Sequence, residues 1–507
     1  MTIQPIATRP VTQQATPLAV IAQWLGVQST STVPVTGISL STDRLLPGDL
    51  YAALPGTRTH GANFVSRALE AGAVGVLTDA EGAQVLSASG VEVPVVVVPE
   101  PRRVLGLVAD RLYGHPASAL TLIGVTGTQG KTTTTRLLEA GLAGSGIASA
   151  VIGTVGTRIK GREVKTSLTT PEAPDLHALF AVMAESGVQA CAMEVSSHAL
   201  VLGRVDQVRF DVACFLNLGR DHLDFHRDVD EYFAAKATLF TPERAVRALV
   251  NIDDEHGRML ARRALIPTAT FGVETPGDWH ARDLRLDPSG TDFVVVGPGV
   301  EFAARVPMAG GFNVLNALCA IAAAGEAGFD PQAVATAISH THGVPGRLES
   351  VHAGQAWSAI VDYAHKPDAV QAALQALRPV TVGKLIVVLG AGGDRDHGKR
   401  PLMAAIAAAN ADVVIITDDN PRTEDPATIR AELLAGVPSD TGAQVVEIGD
   451  RRAAIAHAVS LAQGSDAQGS DTVLVAGKGH ESGQEINGVL HRFDDRIVLS
   501  EEIGKRL

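Results

Sequence analysis

Short apolar runs rich in Val and Ile alternate along the chain with Ala/Leu stretches whose apolar positions recur at helical spacing. A short continuous apolar run bounded by Gly, Pro, Asp or Asn marks a strand buried on both faces, and helices between such runs cover a parallel sheet. The first third predicts strands at 49–54, 75–77 and 94–98 and helices near 62–71 and 102–113. It closes at Tyr113-Gly114-His115-Pro116, where Gly and Pro punctuate the chain. A second αβ series runs from Leu120 to about His342; a third begins near Pro345-Gly346-Arg347, with strands at 359–361, 385–389, 413–417 and 473–476. The segment 464–471 (GSDAQGSD) reads as a surface loop, and no solenoid-type repeat is found. These elements predict an α/β protein of three domains, 1–115, 116–344 and 345–507, in keeping with roughly 150 residues per domain.

Composition narrows the function classes. The hydrophobic fraction is 46% and the charged fraction 19%, enough apolar material for packed cores and too little charge for a disordered chain. Lys plus Arg is 42 against 55 Asp plus Glu, a net charge of −13 with no basic stretch, so neither nucleic acid nor an anionic membrane is an expected partner. Cys191, Cys214 and Cys319 sit in apolar runs without metal-type spacing and read as buried free thiols of a reducing compartment. The first 18 residues are polar and lack a signal-peptide core, and no run of about 18 apolar residues occurs. A cytoplasmic protein is expected, and a monomer.

The strongest chemical signal is the apolar run 120–125 followed by T-G-T-Q-G-K-T over 126–132 and a helical stretch over 133–143. Strand, Gly-rich turn and helix start stand in the order that wraps backbone N–H groups around phosphate, with Lys131 to balance charge and the Thr132 hydroxyl to meet Mg²⁺. The strict G-x-x-x-x-G-K-[ST] pattern would have Gly where this chain has Val125. Two more apolar runs end in polar clusters: 190–193 leads into Glu194-Val195-Ser196-Ser197-His198, and 212–216 into Asn217-Leu218-Gly219-Arg220-Asp221-His222-Leu223-Asp224. Ligands of open parallel sheets bind outside the carboxyl ends of the strands, which makes Glu194 and His222 candidate Mg²⁺ ligands beside Thr132. Lys236, in the Ala-rich stretch Y-F-A-A-K-A, reads on composition as a solvated helix lysine.

Three strand ends of the last third are also polar: A-G-G-D-R-D-H-G-K-R-P (391–401), D-D-N-P-R-T-E-D-P (418–426) and G-K-G-H-E (477–481). One sheet edge would collect Arg395, Asn420, Arg422, Lys478, His480 and Glu481. Arginine forks grip carboxylates two bonds at a time and an acid such as Glu481 or Asp419 can hold an ammonium, so the set suits a small zwitterion. Residues at Gly311-Phe312-Asn313, Pro345-Gly346-Arg347 and Asp362-Tyr363-Ala364-His365 flank the entry to this domain and fit a nucleotide held in an interdomain cleft.

With these motifs in hand, the chain resembles the Mur ligases over nearly its whole length, in motif order and approximate spacing. The G-T-x-G-K-T loop is shared with folylpolyglutamate synthases. T-T-P-E (169–172), E-V-S-S-H, R-D-H-L-D and D-N-P-R make the chain most similar to the Mur ligases that add the third amino acid.

The resemblance implies a small N-terminal uridine-nucleotide-binding domain, a central P-loop ATPase-like domain and a C-terminal Rossmann-like domain. It implies ATP as co-substrate, Mg²⁺ as cofactor, and UDP-N-acetylmuramoyl-L-alanyl-D-glutamate and meso-2,6-diaminopimelate as substrates. By resemblance, Gly127, Thr128, Gly130, Lys131, Thr132, Thr133, Asn313, Arg347 and Asp362 meet ATP. Thr42, Thr57, Arg58, Thr59, Gln129, Thr169, Thr170, Ser196 and Arg204 meet the nucleotide-dipeptide, although the family's usual D-S-R is here Ser41-Thr42-Asp43-Arg44. Lys236 matches a lysine that the family carries as a carbamate, and joins Lys131, Glu194 and His222 as catalytic. Arg395, Asp419, Asn420, Pro421, Arg422, Gly477 and Glu481 match the amino-acid site. Competing readings are a lysine-adding homologue, disfavoured by D-N-P-R, a folylpolyglutamate synthase, and an ATP-binding regulator without catalysis.

Overall fold

The computed structural model describes residues 8–12, 14–164, 166, 168–219, 221–222, 224–287, 289–464 and 470–506. Residues 1–7, Arg220 and Leu223 of R-D-H-L-D, and most of the 464–471 segment lie outside that set. The chain divides into two compact units, Met1–Trp279 with Cys319–Val334, and His280–Leu318 with Ala335–Leu507.

Besides the short antiparallel pair Thr16–Pro17 with Pro34–Val35, the first unit contains two larger sheets. The strands Gly37–Ser39, Asp49–Ala52, Gly75–Thr78 and Val95–Val97 pair in parallel in that order. Leu50, Leu77 and Val96 pack on one face against Leu105, Val108 and Leu112 of the helix Pro101–Leu112, while Tyr51 and Val76 meet Val65, Ala68 and Leu86 on the other. Apolar residues on both faces explain why these strands read as runs and not as alternations.

The larger sheet sets Thr121–Thr126 between Ala190–Glu194 and Phe210–Phe215, all parallel, with Ser149–Gly153 outside the former and Ala245–Asn251 and Thr268–Gly272 outside the latter. The antiparallel strands Gly156–Ile159 and Arg162–Val164 extend one edge, joined by Lys160-Gly161 with φ of 48° and 77°. That two-residue turn has the backbone of a tight hairpin without its usual Asn-Gly sequence, which is why the apolar-run reading passes over it.

In the second unit the strands Ser358–Asp362, Thr472–Ala476, Leu385–Leu389, Val413–Ile416 and Gln444–Glu447 form a parallel sheet in that spatial order. One face packs on Pro367–Leu377, Lys399–Asn410 and Pro426–Leu434, the other on Arg451–Leu461 and Asp495–Gly504. Helices on both faces leave only the strand ends open, which is where the polar clusters begin. The strands Trp279–Asp287, Gly290–Gly297 and Val300–Val306 form an antiparallel meander that the expectation of a parallel series does not include. Its outer strands interleave polar with apolar positions and offer no apolar run, whereas the middle strand carries the run Phe293-Val294-Val295-Val296, a strand signal the sequence reading passed over.

The three cysteines are buried and free, as their apolar contexts predict. Among the described residues no helix is long and apolar enough to cross a membrane.

Candidate active site

The central strand Thr121–Thr126 ends at Gly127, and the helix Lys131–Gly144 begins four residues later. Gly130 caps that helix at φ 86°, a conformation that costs any residue with a Cβ, so the turn requires glycine. Val125 is inside the strand and fully buried, so the Gly of the strict phosphate-loop pattern has no turn to serve here. Lys131 Nζ donates to the carbonyls of Gly127 (2.8 Å) and Thr128 (3.0 Å), which curls the side chain over the loop. Thr132 and Thr133 occupy the first helical turn. Asn217, immediately past the neighbouring strand, braces the loop: its Oδ1 accepts from the N–H of Thr128 (3.1 Å) and of Gln129 (2.9 Å), and its Nδ2 donates to Gln129 O (3.2 Å). Sequence reasoning passed over this role, although Asn217 leads the polar cluster at that strand end.

Glu194 pairs in register with Val125 on the adjacent strand and is 1% exposed. Its two oxygens accept from the N–H (2.8 Å) and the hydroxyl (3.0 Å) of Thr154, and the Thr154 hydroxyl lies 3.0 Å from that of Thr169. Thr170 donates to Glu194 O (2.7 Å) and accepts from Ser196 N–H (3.2 Å). Ser196 caps the helix Ser197–Val201, and Arg204 donates to Glu172 (3.0 Å) and to Thr170 O (3.4 Å). The structure thus gathers Thr169, Thr170, Ser196 and Arg204 around the end of the Glu194 strand, and it spends the Thr170 hydroxyl on internal bonds.

His222, at φ 56°, has its ring 4.9 Å from that of His198 and 5.9 Å from Tyr232. His198 stacks on Phe225 at 3.9 Å, and the buried His226 hydrogen-bonds Ser197 Oγ at 2.9 Å. Burial lowers the imidazole pKa of both His198 and His226, against the opposing charge of Asp224 in each and of Glu231 at His226.

Lys236 corrects its composition-based reading: it is 1% exposed, not solvated. It lies in the helix Val229–Ala237, donates from Nζ to Gly127 O at 2.9 Å, and stands 4.5 Å from the centroid of the Tyr232 ring. Burial, then the Lys131 ammonium, hold its pKa well below the ordinary lysine value, with Asp221 opposing.

Thr132 and Glu194 offer hard oxygen donors, and His222 an imidazole. Among the described residues no three His, Cys, Asp or Glu side chains form a closed metal cage. Mg²⁺ at phosphoryl-transfer sites is held through one or two protein groups with water and substrate phosphates, so this sparse oxygen set fits that cation.

In the N-terminal sheet region Thr57, Arg58 and Thr59 are exposed on one loop, where Thr59 Oγ1 accepts from Asn63 at 2.9 Å. Thr42 is half-buried; its neighbours Asp43 and Arg44 pair with Arg67 and, at 2.9 Å, with Asp175.

In the second unit Asn313, 1% exposed at the start of the helix Gly311–Glu326, donates to Ala309 O at 2.8 Å. The Arg347 guanidinium lies 4.6 Å from the Tyr363 ring centroid, and its buried Nε has no partner among the described residues. Asp362 accepts from the N–H of Leu348 (2.7 Å) and of Ala364 (2.8 Å); burial raises its pKa while Arg347 opposes.

At the ends of the central strands of that sheet, Asn420 Nδ2 donates to Glu481 Oε2 at 2.9 Å. Arg422, at φ 53°, donates from Nη1 to Gly393 O at 2.6 Å and from its backbone N–H to Glu485 O at 3.0 Å, after the turn at Pro421. Gly477 has φ 121°, and a Cβ there would overlap the Asp419 carboxylate. Arg395 is exposed, and no described hydrogen bond or ion pair joins it to this group. Sequence reasoning missed Arg400, whose fully buried guanidinium ties Glu424 (3.0 Å), Glu432 (2.7 Å) and Gly392 O (3.1 Å), bracing the loops that carry Arg395 and Arg422. Nothing local in K-R-P marks it as buried.

Comparison with known proteins finds one family along most of the chain. The Mur ligase family, catalytic domain, matches residues 34–113; the Mur ligase middle domain matches 125–324; and the Mur ligase, glutamate ligase domain, matches 346–479. A relative from Streptomyces avermitilis, named UDP-N-acetylmuramoyl-L-alanyl-D-glutamate--2,6-diaminopimelate ligase, is 53% identical over 98% of each chain. A relative of the same name from Corynebacterium glutamicum is 47% identical over 96% of each. A solved structure of a ligase of that name superposes with a TM-score of 0.69 at 32% identity, covering 98% of this chain and 99% of that one.

Proposed function

The chain belongs to the Mur ligase family, and from that premise we propose that it joins meso-diaminopimelate to UDP-N-acetylmuramoyl-L-alanyl-D-glutamate at the expense of ATP, in the cytoplasmic stage of peptidoglycan synthesis. The observation that carries the substrate choice is Arg422 on its rigid Asn420-Pro421 turn, its guanidinium held by Gly393 O at 2.6 Å and beside the partly exposed Glu485 carboxylate at 3.5 Å. Diaminopimelate bears a distal carboxylate that lysine lacks. A site built around a guanidinium loses a charge-assisted pair when that carboxylate is missing.

An oxygen of the D-glutamyl γ-carboxylate attacks the γ-phosphorus of ATP, the bond to the ADP oxygen breaks, and an acyl phosphate forms. The amine of diaminopimelate then attacks the acyl carbon, phosphate leaves with the C–O electron pair, and the nitrogen sheds a proton to give the amide. A carboxylate approaching a polyphosphate meets like charge, so the first step needs fixed cations and N–H donors. Lys131 supplies the cation, and the loop 127–133 the donors, held in shape by Asn217. Thr132, Glu194 and His222 would hold Mg²⁺, which would supply charge neutralisation for the transferring phosphoryl group.

In this reading Asn313, Arg347 and Asp362 hold ATP. The nucleotide-dipeptide lies against Thr42, Thr57, Arg58, Thr59, Gln129, Thr169, Thr170, Ser196 and Arg204. Arg395, Asp419, Asn420, Pro421, Arg422, Gly477 and Glu481 receive diaminopimelate. Domain boundaries at 1–115, 116–344 and 345–507, and a monomer, belong to the same proposal.

The test is phosphate release with ATP, Mg²⁺ and the nucleotide-dipeptide, offering meso-diaminopimelate and L-lysine in parallel. Release that depends on diaminopimelate is expected. Equal rates with lysine would overturn the substrate choice, and silence with both would overturn the ligase.

Lys236 is proposed to be carbamylated. Its buried, depressed amine is the form whose lone pair attacks CO₂, forming an N–C bond and releasing a proton; the carbamate nitrogen keeps one N–H for Gly127 O. Because the adduct releases a proton as it forms, acid reverses it. Enzyme held at acid pH in CO₂-free buffer is expected to lose most of its activity, since protons drive the carbamate back to amine and CO₂, and to regain it on return to neutral pH with bicarbonate. ¹³C-bicarbonate should give a carbonyl signal absent from K236A; no such signal would discard the modification.

A further inference from the structure

Lys478 follows the strand Thr472–Ala476 by two residues and is completely buried. An ammonium removed from water needs acceptors. Its Nζ lies 3.0 Å from Asn420 Oδ1, 3.3 Å from Glu481 Oε2 and 3.9 Å from Asp419 Oδ1. These are three of the side chains to which the ligase reading gives the amino acid.

The first consequence is an orientation. Asn420 Oδ1 accepts from Lys478 and also from the backbone N–H of Glu485 at 3.0 Å. A flipped amide would set its NH₂ against two donors, so only one orientation is tolerable. Nδ2 must therefore face Glu481.

The second consequence concerns the carboxylate. Glu481 Oε2 is engaged by both Asn420 Nδ2 (2.9 Å) and Lys478 Nζ (3.3 Å), whereas Oε1 has no partner among the described residues and the side chain is 34% exposed. One oxygen is anchored and the other is presented. An amide N–H and a carboxylate oxygen then stand side by side, matching the carboxylate and the ammonium that an α-amino acid carries on one carbon. Lys478 also offsets the adjacent charges of Asp419 and Glu481.

We propose, resting on the ligase reading, that Lys478 is a positioning residue for the amino-acid site: its buried ammonium locks Asn420 and Glu481 in the one arrangement that receives the zwitterionic end of the substrate. It touches no reacting atom.

The experiment measures KM for diaminopimelate, ATP and the nucleotide-dipeptide in the wild type, K478M, E481Q and the double variant, with thermal melts of each. Bonds to charged groups contribute enough to expect about a 10- to 100-fold rise in KM for diaminopimelate in K478M, with the other two KM values within about twofold of wild type. Because part of the effect of Lys478 passes through Glu481, the double variant should lose much less than the product of the two single losses. A common rise of all three KM values, no rise, or fully multiplicative losses would overturn the proposal. K478Q is read in the same way if K478M fails to fold, and if neither folds the lysine serves the sheet and the proposal fails. Wild-type enzyme that releases no phosphate with diaminopimelate would instead refute the ligase reading itself.

Discussion

Replacing Lys131 with alanine is expected to reduce phosphate release at saturating substrate by at least about a thousandfold, in the range seen when a phosphoryl-transfer or oxyanion-stabilising group is deleted. The reason is electrostatic. Attack of one anion on another is slowed by repulsion that only fixed positive charge relieves, and Lys131 is the cation that the loop itself carries. Stability should change little. Nζ donates to the carbonyls of Gly127 and Thr128, and Gly127 O keeps its bond from Lys236, so the loop stays tied at that carbonyl. Single-turnover phosphate release and a thermal melt on the same preparation check both halves. A variant within tenfold of wild type would remove Lys131 from the mechanism; one that melts far earlier would make it a structural residue.

Arg422→Ala should act on the other substrate. Truncating one partner of a hydrogen-bonded charge pair costs about 2 kcal/mol at the low end of the measured range, the end suited to a guanidinium that is partly exposed, and this corresponds to about 30-fold or more in KM for diaminopimelate. Its Nη1 is tied to Gly393 O at 2.6 Å and its backbone to Glu485, so the fork is already aimed and little ordering is left to the ligand. Discrimination should collapse with affinity: the kcat/KM ratio of diaminopimelate to L-lysine is expected to fall by a similar factor, because lysine never used the lost contact. A ratio unchanged in R422A would mean that the distal carboxylate is read elsewhere, with Arg395 the next residue to test.

The inner parallel strands of the second unit were legible because they are buried on both faces and so form unbroken apolar runs, whereas the partly exposed edge strand Gln444–Glu447, polar at both ends, gives no such run. Leu385–Leu389 is found where the run predicts it, and the turn at Gly127–Gly130 follows from residues whose chemistry is local. Antiparallel pieces that interleave polar positions were not legible by the same rule. The hairpin Gly483–Ile486 with Val489–Arg492 is mostly polar, yet its Asn487-Gly488 turn, at φ 50° and 75°, is a strong hairpin signal present in the sequence.

What the sequence by itself determined is the order of the chemistry along the chain: which strands end in Gly127–Lys131, Glu194, Asn420–Arg422 and Gly477–Glu481, since an apolar run must stop where the chain leaves the sheet. What only the tertiary structure decided is the environment of each group. Lys236 is a solvated lysine by composition and a buried one in the fold, because its partner Gly127 is 109 residues earlier. Lys478 and Asn420 meet across 58 residues, and Arg400 is buried only because two distant loops close over it. Burial and pairing of a charged side chain depend on which surfaces the fold brings together, and no local pattern of residues encodes that.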